Sequence, residues 1–242
     1  AIIFLAGMFS VIPLTAVAYG TYGSLTYNTY DSDGDGVYDY LTIASCAQPV
    51  TEVEIPAEID GVPVTEIQQY AFGGCNNLKN VIIPDRVVKI GKYAFYDCRS
   101  LKEITIPESV ASIDNCAFKN CSVLETVLIK NPECEIYDSA DTIFNNLIFD
   151  EETGEDFNSI NGIIYGYENS TAQAYAEKYG YNFKLFVQGD ISKNDLIDLY
   201  DAIEVVKYIM KIRTFTETDK QFADFTGNDA VDLYDAIEIA RT

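Results

Sequence analysis

Apolar and polar positions alternate in short runs through the middle of the chain, and these runs recur at a fixed interval. Segments that begin at Leu78, Leu101 and Leu124 start 23 residues apart, and the first two runs end in Ile-Pro. Alternation with a period of two predicts a short strand, and proline ends it. A fixed period in the twenties is typical of a solenoid. We therefore predict stacked coils of 23 residues each.

A second side of each coil also faces inward. Ala-Phe pairs recur in phase with the strands, at positions 71–72, 94–95 and 117–118. An earlier copy of the repeat starts near residue 51 and carries a short insertion around Asp60 and Gly61. Apolar pairs that keep the period of the strands predict one continuous core through all the coils.

Cysteines of the repeats keep the same period, at Cys75, Cys98 and Cys121. Equivalent residues of adjacent coils stack about 4.8 Å apart, which suits an inward column of thiols but also falls within the range of a disulfide. Three stacked cysteines cannot all pair with one another, so buried free thiols are the favoured interpretation and one disulfide is the alternative. The remaining cysteines are expected outside this column, without the spacing of a metal site: Cys46, Cys116 and Cys134.

The chain starts with an uncharged apolar stretch. Residues 1–18 end in Ala-Val-Ala, which is typical of the cleavage site of a secretory signal. We predict that residues 1–18 are the apolar part of a signal peptide, cut before Tyr19, and that the sequence begins within that signal because it lacks an initial Met. An uncleaved membrane anchor is the alternative. The predicted protein is secreted and makes no membrane contact after cleavage.

An aspartate-rich turn precedes the repeats. It places carboxylates at Asp31, Asp33 and Asp35, as in the first half of a calcium loop, but Thr42 stands where such a loop ends in an acid. A β-hairpin turned by Asp-Gly accounts for the pattern without a metal. We expect residues 19–50 to form a β-hairpin cap over the first edge of the solenoid, with a calcium ion at the three aspartates as the less favoured interpretation.

The segment DLYDAIE occurs twice, at 198–204 and 232–238. Each copy completes a twelve-residue loop, which we name loop 1 (residues 190–201) and loop 2 (residues 224–235). Calcium binds oxygens at positions 1, 3, 5, 7, 9 and 12 of such loops. Those positions hold Asp190, Ser192, Asn194, the Leu196 carbonyl, Asp198 and Asp201 in loop 1, and Asp224, Thr226, Asn228, the Ala230 carbonyl, Asp232 and Asp235 in loop 2. We therefore predict two bound calcium ions.

Apolar positions around the loops predict how the two copies pack. Ile197 and Val231 occupy the same apolar position of each loop and are expected to join the loops in a short pairing. Helices are expected to follow the last ligand of each loop. In the first of them, Ala202, Val205 and Ile209 have the spacing of an inward face.

The repeats at residues 51–187 resemble BspA-like leucine-rich repeats of bacterial surface and secreted proteins, on the Leu-x-x-Ile/Val-x-Ile-Pro run and the Ala-Phe-x-x-Cys close. The stretch 161–186 resembles the last unit of that family. There, Ser170 or Thr171 is expected to cap a short helix that Gly180 ends, before a returning strand. Residues 131–160 depart from the register and are expected to form an irregular coil or a protruding loop.

The duplicated loops at residues 188–242 resemble a type I dockerin, the module that attaches cellulosomal proteins to cohesin domains. Asp195 and Asp229 stand where that family usually has Gly, and Ser192 and Thr226 are neutral ligands, so tight calcium binding is in doubt. We expect the second helix to be truncated at Thr242. The resemblance implies cohesin recognition by Leu199, Tyr200, Val206 and Lys207, mirrored by Leu233, Tyr234, Ala240 and Arg241.

The predicted fold class is α+β, a leucine-rich-repeat solenoid of short strands followed by a small α-helical dockerin with two EF-hand-like loops. The resemblance implies a secreted, non-catalytic cellulosome component. Its dockerin would bind a cohesin of a scaffoldin in a calcium-dependent way, and its repeats would bind an unknown protein or polysaccharide. The protein would lie outside the cell, or at the cell surface through a cohesin-bearing scaffold. The connector at residues 186–189 lacks the composition of a flexible linker, so we expect the module to lie against the last coil.

Charge and composition exclude other classes of function. A net charge of −22 argues against nucleic acid as a partner, and the absence of His removes the commonest general base. The alternative function is a glycoside hydrolase, which would need a pair of carboxylates in a cleft. The insert at residues 131–160 offers candidates for such a pair. They are Asp141, Asp150, Glu151, Glu152, Glu155 and Asp156.

Overall fold

The computed structural model describes residues 16–144, 147–149, 156–158, 162–193 and 196–242. The strands are β1 (Ala16–Tyr22), β2 (Leu25–Tyr30), β3 (Tyr40–Cys46), β4 (Glu52–Glu54), β5 (Glu58–Ile59), β6 (Val62–Ile67), β7 (Asn80–Ile82), β8 (Lys89–Ile90), β9 (Glu103–Ile106), β10 (Ser112–Ile113), β11 (Thr126–Ile129), β12 (Glu135–Ile136), β13 (Leu147–Phe149), β14 (Asp156–Asn158), β15 (Ile163–Gly166) and β16 (Asn182–Leu185). The helices are α1 (Thr171–Tyr179), α2 (Leu199–Ile209), α3 (Glu217–Ala223) and α4 (Leu233–Ile239).

Parallel ladders form two sides of the coils. One sheet has the strand order β16-β15-β11-β9, and the other has the order β1-β2-β3-β6-β8-β10-β12 with β5 paired to β6. Thr126 of β11 pairs with Glu103 of β9, 23 residues earlier, so the sequence period is the register of the ladder. The predicted α+β solenoid followed by a small helical region is confirmed.

The Ala-Phe side of the coils forms the centre of the core. Phe72, Phe95 and Phe118 are fully buried, and their rings stack with centroids 4.9 Å and 5.1 Å apart. Offset or parallel aromatic stacking at this distance adds to the burial of apolar surface. Because each ring comes from the same position of its repeat, the period of the sequence creates the stack.

All six cysteines are free thiols, and Cys75, Cys98 and Cys121 are buried in the core as expected. The prediction for Cys46 is wrong. Its thiol accepts a hydrogen bond from the thiol of Cys75, so it begins the column instead of lying outside it. The reason is that β3 pairs in parallel with β6, which carries the end of β3 to the first coil.

The N-terminal strands cover the first edge of the solenoid. Strands β2 and β3 pair antiparallel, with Tyr30 opposite Tyr40, and β3 then joins the parallel ladder. Strand β1 pairs antiparallel with β2 and begins at Ala16, within the expected cleavage site. Residues 1–15 lie outside the described residues, so the signal peptide stays a prediction.

The last coil closes the solenoid with a helix. The Ser170 hydroxyl accepts a hydrogen bond from the Gln173 backbone, and Gly180 ends α1 in the left-handed conformation. Strand β16 then pairs with β15 at the end of its sheet. In the insert, the regular coil continues to the buried residues Ile143 and Phe144, and β13 and β14 pair antiparallel.

The C-terminal module (residues 188–242) has a core that is shared with the solenoid. Helices α2 and α4 pack against each other, and α3 packs against β9. The ring of Phe222 on α3 lies 5.3 Å from that of Tyr165 on β15 and 4.9 Å from that of Phe186. The expected close contact between the module and the last coils is therefore present.

Candidate functional site

Loop 2 has the hydrogen bonds of a wound cation-binding loop. The carboxylate of Asp224 accepts the backbone N–H groups of Asn228 and Asp229 at 3.0 Å and 2.9 Å. The Asn228 side-chain oxygen accepts the N–H of Ala230 at 3.0 Å. Asp229 has a φ of 62°, the left-handed conformation expected at this position. These contacts wind the loop, although the carboxylates of Asp224, Asp232 and Asp235 do not form a group of oxygens within 4.8 Å of one another in this structure.

The last predicted ligand of each loop is a fully buried carboxylate. Asp235 accepts N–H groups from Thr226 at 2.9 Å and from Asp232 at 2.7 Å. Asp201 of loop 1 is equally buried and accepts the corresponding two N–H groups, each at 2.8 Å. The two copies therefore have the same local geometry, as a duplicated sequence requires.

The chemistry of these side chains suits a calcium ion. Burying an ionised carboxylate is costly unless an opposite charge compensates it. Among the described residues, no Lys or Arg forms an ion pair with Asp201 or Asp235. The donor set is made of oxygens only, which is the set that calcium prefers. A divalent cation held by these loops would supply the missing positive charge and fix the winding of each loop.

The remaining predicted ligands differ in burial and in the contacts they make. Asp190 is buried and accepts a hydrogen bond from the Ser192 hydroxyl at 3.3 Å. Asp198 and Asp232 instead cap α2 and α4, each through an N–H···O contact of 2.7 Å, and ligands at this loop position often act through water. The Leu196 side chain is exposed. Asn194 and Asp195 lie outside the described residues.

Three expectations about helix packing are corrected. Ile197 and Val231 pack against the module core and form no strand pairing, because the chain turns directly into the helices there. Helices α2 and α4 begin at Leu199 and Leu233, before the last ligand of each loop, since Asp198 and Asp232 cap them. Ala202 and Val205 are buried as expected. Ile209, however, is exposed at the end of α2.

The side chains that resemble cohesin contacts lie mainly on the surface. The exposed fractions are 64% for Leu199, 72% for Tyr200, 58% for Leu233 and 71% for Tyr234. Neighbouring residues on α2 and α4 extend this apolar surface, because Ile203 and Ile237 are also exposed. We name the two sets face 1 (Leu199, Tyr200) and face 2 (Leu233, Tyr234). Exposed Leu-Tyr pairs next to charged residues are typical of protein-contact surfaces.

The remaining residues that resemble cohesin contacts lie further along each helix, and their burial differs between the two copies. Val206 is partly buried against the module core, whereas Ala240 is exposed. Lys207 forms an ion pair with Glu204 at 2.6 Å, and Arg241 pairs with Glu238. The cations therefore lie at the rim of each face.

Helix α3 was not predicted from the sequence, and it carries the contact with the solenoid. Thr216 and Asp219 form a capping box at its start. Its N-terminal N–H of Thr218 points to the Glu103 carboxylate of β9 at 3.4 Å, and Gln221 accepts a hydrogen bond from Lys130 at 3.0 Å. A signal was present in the sequence: the pattern TETD marks a helix start.

The solenoid contributes an apolar surface to this contact. Leu128 and Tyr165 occupy paired ladder positions, next to the inward-facing Val127 and Ile164, and so point outward. Outward positions of a strand are usually polar, but both residues are buried beneath the module. Apolar residues at outward ladder positions are the signal that predicts a covering domain.

Loop 1 is tied to this interface by one side chain. The Lys193 ammonium lies 2.9 Å from the Asp219 carboxylate, and 5.9 Å and 5.3 Å from the ring centres of Tyr165 and Phe222. Burial is the largest single influence on Asp219 and acts to raise its pKa, but the hydrogen bond and charge of Lys193, together with the hydrogen bonds from Thr216, hold the pKa below its usual value. Gly227 occupies the same position in loop 2, so loop 2 has no lysine that could make the equivalent contacts.

The early aspartate turn brings together a different set from the expected one. Asp31, Asp33 and Asp39 place carboxylate oxygens within 4.8 Å of one another, whereas Asp35 accepts the Val37 N–H. Hydrogen bonds from Ser32, from its side chain first and then its backbone, lower the pKa of Asp39. Turn hydrogen bonds account for this exposed cluster without a metal.

The carboxylates of the hydrolase alternative do not form a described pair. Asp141 is engaged by Lys119 at 2.8 Å. The other candidates, Asp150, Glu151, Glu152 and Glu155, lie outside the described residues, and only the strand position of Asp156 is described. No helix in the described part of the chain has the length and apolar character needed to cross a membrane.

Comparisons with known proteins agree with the two-part organisation. A model of the BspA type leucine rich repeat region matches residues 44–161 in 6 copies, and a model of the dockerin type I domain matches residues 188–242. Leucine-rich repeats and dockerins are protein-interaction modules without catalytic groups of their own, and type I dockerins bind calcium and cohesins. The search of curated proteins found no match.

Solved structures with similarity to this chain are bacterial repeat proteins. A leucine-rich repeat protein from Bacteroides capillosus ATCC 29799 is 23% identical, with a TM-score of 0.48 over 62% of this chain and 99% of that chain. The T. pallidum leucine rich repeat protein is 20% identical, with a TM-score of 0.39 over 69% of this chain and 98% of that one. Because both TM-scores are below 0.5, the assignment of the repeats and of the dockerin depends on the two family models.

Proposed function

Because the chain combines BspA type leucine-rich repeats with a type I dockerin domain, we propose that it is a secreted, non-catalytic component of a cellulosome-like assembly. The dockerin attaches it to a cohesin of a scaffoldin when calcium fills loops 1 and 2. The repeats then present a surface for a protein or a polysaccharide. No observation among the described residues favours the hydrolase alternative.

One observation carries this proposal: the module contacts the solenoid through α3, while face 1 and face 2 remain exposed. A module whose partner surface was covered by its own solenoid could not bind a cohesin without first separating from it. Both Leu-Tyr pairs project from helix starts that the loops fix in place, since Asp201 and Asp235 bind backbone on both sides of each turn. We infer that calcium in the loops stabilises this winding and so keeps both faces in position.

The two copies offer two equivalent attachment surfaces. Tyr200 and Tyr234 are exposed to nearly the same extent, and the helices that carry them begin with the same capping geometry. Large, rigid aromatic side chains are frequent anchors of protein interfaces. We infer that either face can engage the cohesin, and that the solenoid takes a different orientation on the scaffold in each case.

Capture of the full chain on immobilised type I cohesins, with calcium and with chelator, tests the proposal. Calcium-dependent capture by at least one cohesin is the expected result. Capture that persists in chelator, or no capture by any cohesin in a broad panel, contradicts it. The solenoid alone is not needed as a control, because immobilised domains that are not cohesins report nonspecific retention.

A further inference from the structure

The thiol column of the solenoid begins next to Cys46, a cysteine of the N-terminal cap. The Cys121 thiol donates to the Phe95 carbonyl at 3.0 Å, and the Cys98 thiol donates to the Phe72 carbonyl at 3.2 Å. In both cases the acceptor belongs to the preceding coil. The Cys75 thiol instead donates to the sulfur of Cys46. Thiols contact each other in two pairs, Cys98 with Cys121 and Cys75 with Cys46, and the second pair, where the N-terminal cap meets the repeats, includes a thiol that is partly exposed.

The backbone holds these two cysteines side by side. The N–H of Cys46 donates to the Ala71 carbonyl at 2.8 Å, and the side-chain amide of Gln48 donates to the Gly74 carbonyl at 2.7 Å. These two contacts lie on either side of the sulfur contact. The cysteines are 29 positions apart in the sequence, and strand β3 brings them together.

The two thiols differ in access and in acidity. Cys46 is partly exposed, whereas Cys75 is buried. The hydrogen bond from Cys75 outweighs the effect of burial and, with a further contact from Ser24, lowers the pKa of Cys46 to about 7. The same hydrogen bond and burial raise the pKa of Cys75. An accessible thiol with a pKa near neutrality is the better nucleophile toward a disulfide.

We propose that Cys46 and Cys75 are a redox-active pair, which small disulfide compounds oxidise to a bond that joins the N-terminal cap to the first coil. The Cys46 thiolate attacks one sulfur of the compound, whose S–S bond breaks and releases one thiolate. The Cys75 sulfur then attacks the Cys46 sulfur of the mixed disulfide and releases the second thiolate. The protein loses two electrons and two protons, and the compound becomes two thiols.

The bond would strengthen the edge of the solenoid where the parallel ladder starts. Closing the segment between the two cysteines restricts the unfolded chain, and the gain in stability grows with the logarithm of the length of the closed segment. The cap would then stay on the first coil in an oxidising environment. Under reducing conditions, the pairing of β3 with β6, the Gln48 contact and the buried apolar side chains of the cap would hold it.

The test is oxidation of the full chain in calcium with excess oxidised glutathione, followed by alkylation and peptide mapping by mass spectrometry. The expected product is a chain that has lost two hydrogen atoms and contains a Cys46–Cys75 cross-link. Cys75→Ser is expected to stop at a stable glutathionyl adduct on Cys46, and Cys46→Ser is expected to form neither product. Cys116→Ser, which changes a buried cysteine outside the column, is the matched control and should cross-link like the wild type.

The wild-type peptide map tests for the Cys46–Cys75 cross-link even if a serine variant fails to fold. A persistent glutathionyl group on Cys46 without a cross-link would overturn the proposal, as would an unmodified Cys46 or a cross-link between Cys75 and Cys98. The oxidised chain should also unfold a few degrees higher than the reduced chain and protect the amides of β2 and β3 more strongly from hydrogen exchange. Equal unfolding midpoints would contradict the stabilising role.

Discussion

The ammonium group of Lys193, in loop 1, forms an ion pair at 2.9 Å with Asp219 on helix α3 and faces the ring of Tyr165 on the solenoid. One side chain therefore joins a predicted calcium loop, the helix that contacts the repeats, and the repeats themselves. Because Lys193 has a φ of 58°, its position depends on the winding of loop 1. The docked orientation of the dockerin and the order of this loop are thus physically linked.

Lys193→Gly is expected to loosen the dockerin from the solenoid. Glycine adopts the required positive φ readily, and loop 2 already has Gly227 at this position with a φ of 69°, so the loop should still wind. The substitution removes the ion pair and both ring contacts, which should cost about 1–3 kcal/mol of docking free energy. Small-angle scattering in calcium should show a larger radius of gyration than for the wild type.

Lys211→Gly is the matched control for that experiment. Lys211 is an exposed lysine with the same φ of 58°, in the turn that follows α2. Its substitution changes the same charge at the same backbone geometry but should leave the scattering curve unaltered. Identical curves for all three proteins would show that Lys193 does not hold the two domains together.

Thr105→Val is expected to stabilise the docked chain. The Thr105 hydroxyl is buried beneath the module and has no hydrogen-bond partner among the described residues. Leaving a buried hydroxyl unpaired costs about 1–3 kcal/mol, and valine has a similar shape and suits a strand. Chemical denaturation should show a gain, and Thr126→Val on the same sheet should not. A loss of stability in Thr105→Val would indicate that this hydroxyl is hydrated and the interface open.

Asp229→Gly is expected to tighten calcium binding in loop 2. A residue other than glycine costs about 1–2 kcal/mol in the left-handed conformation that Asp229 adopts. The N–H that Asp229 donates to Asp224 belongs to the backbone and is retained. Calorimetric titration should show about fivefold tighter binding at one of two sites. An unchanged or weaker site would mean that the aspartate carboxylate itself contributes to binding.

Asp235→Asn is expected to abolish calcium binding at loop 2 and leave loop 1 intact. The amide keeps the size of the side chain, but it removes the negative charge and presents an N–H₂ group to a backbone donor. Affinity at that loop should fall more than about tenfold, because ligand charge sets calcium affinity. Isothermal titration should then detect one site, with Asp201 of the unaltered loop as the internal control. Retention of both sites would contradict the assignment of Asp235 as a ligand.

Periodicity was sufficient to predict the solenoid, its C-terminal helix and the duplicated loops. The ladder register that pairs Thr126 with Glu103 is the sequence period itself, and Gly180 ends α1 where a residue with positive φ is needed. These features depend on local chemistry and on repetition, both of which are visible in one sequence.

The remaining features depend on contacts between segments that are far apart in the chain. Cys46 joins the thiol column because β3 lies beside β6. The spacing of the cysteines in the sequence does not predict that these two strands pair. Helix α3 depends on its contact with the outward residues Leu128 and Tyr165. Ile209 fits an inward helical pattern but lies at the exposed end of α2, where the module has no further element to cover it among the described residues.

The account depends most on the two Leu-Tyr faces as calcium-organised attachment surfaces. The decisive measurement is calorimetric titration of a captured cohesin into the full chain in calcium, for wild type, each single-face variant (Leu199→Ala with Tyr200→Ala, or Leu233→Ala with Tyr234→Ala) and the combined variant, with Tyr137→Ala on the solenoid as the control. We predict that each single-face variant and the control still bind, and that the combined variant and chelated wild type do not. Undiminished binding by the combined variant, or by the wild type without calcium, would contradict the account.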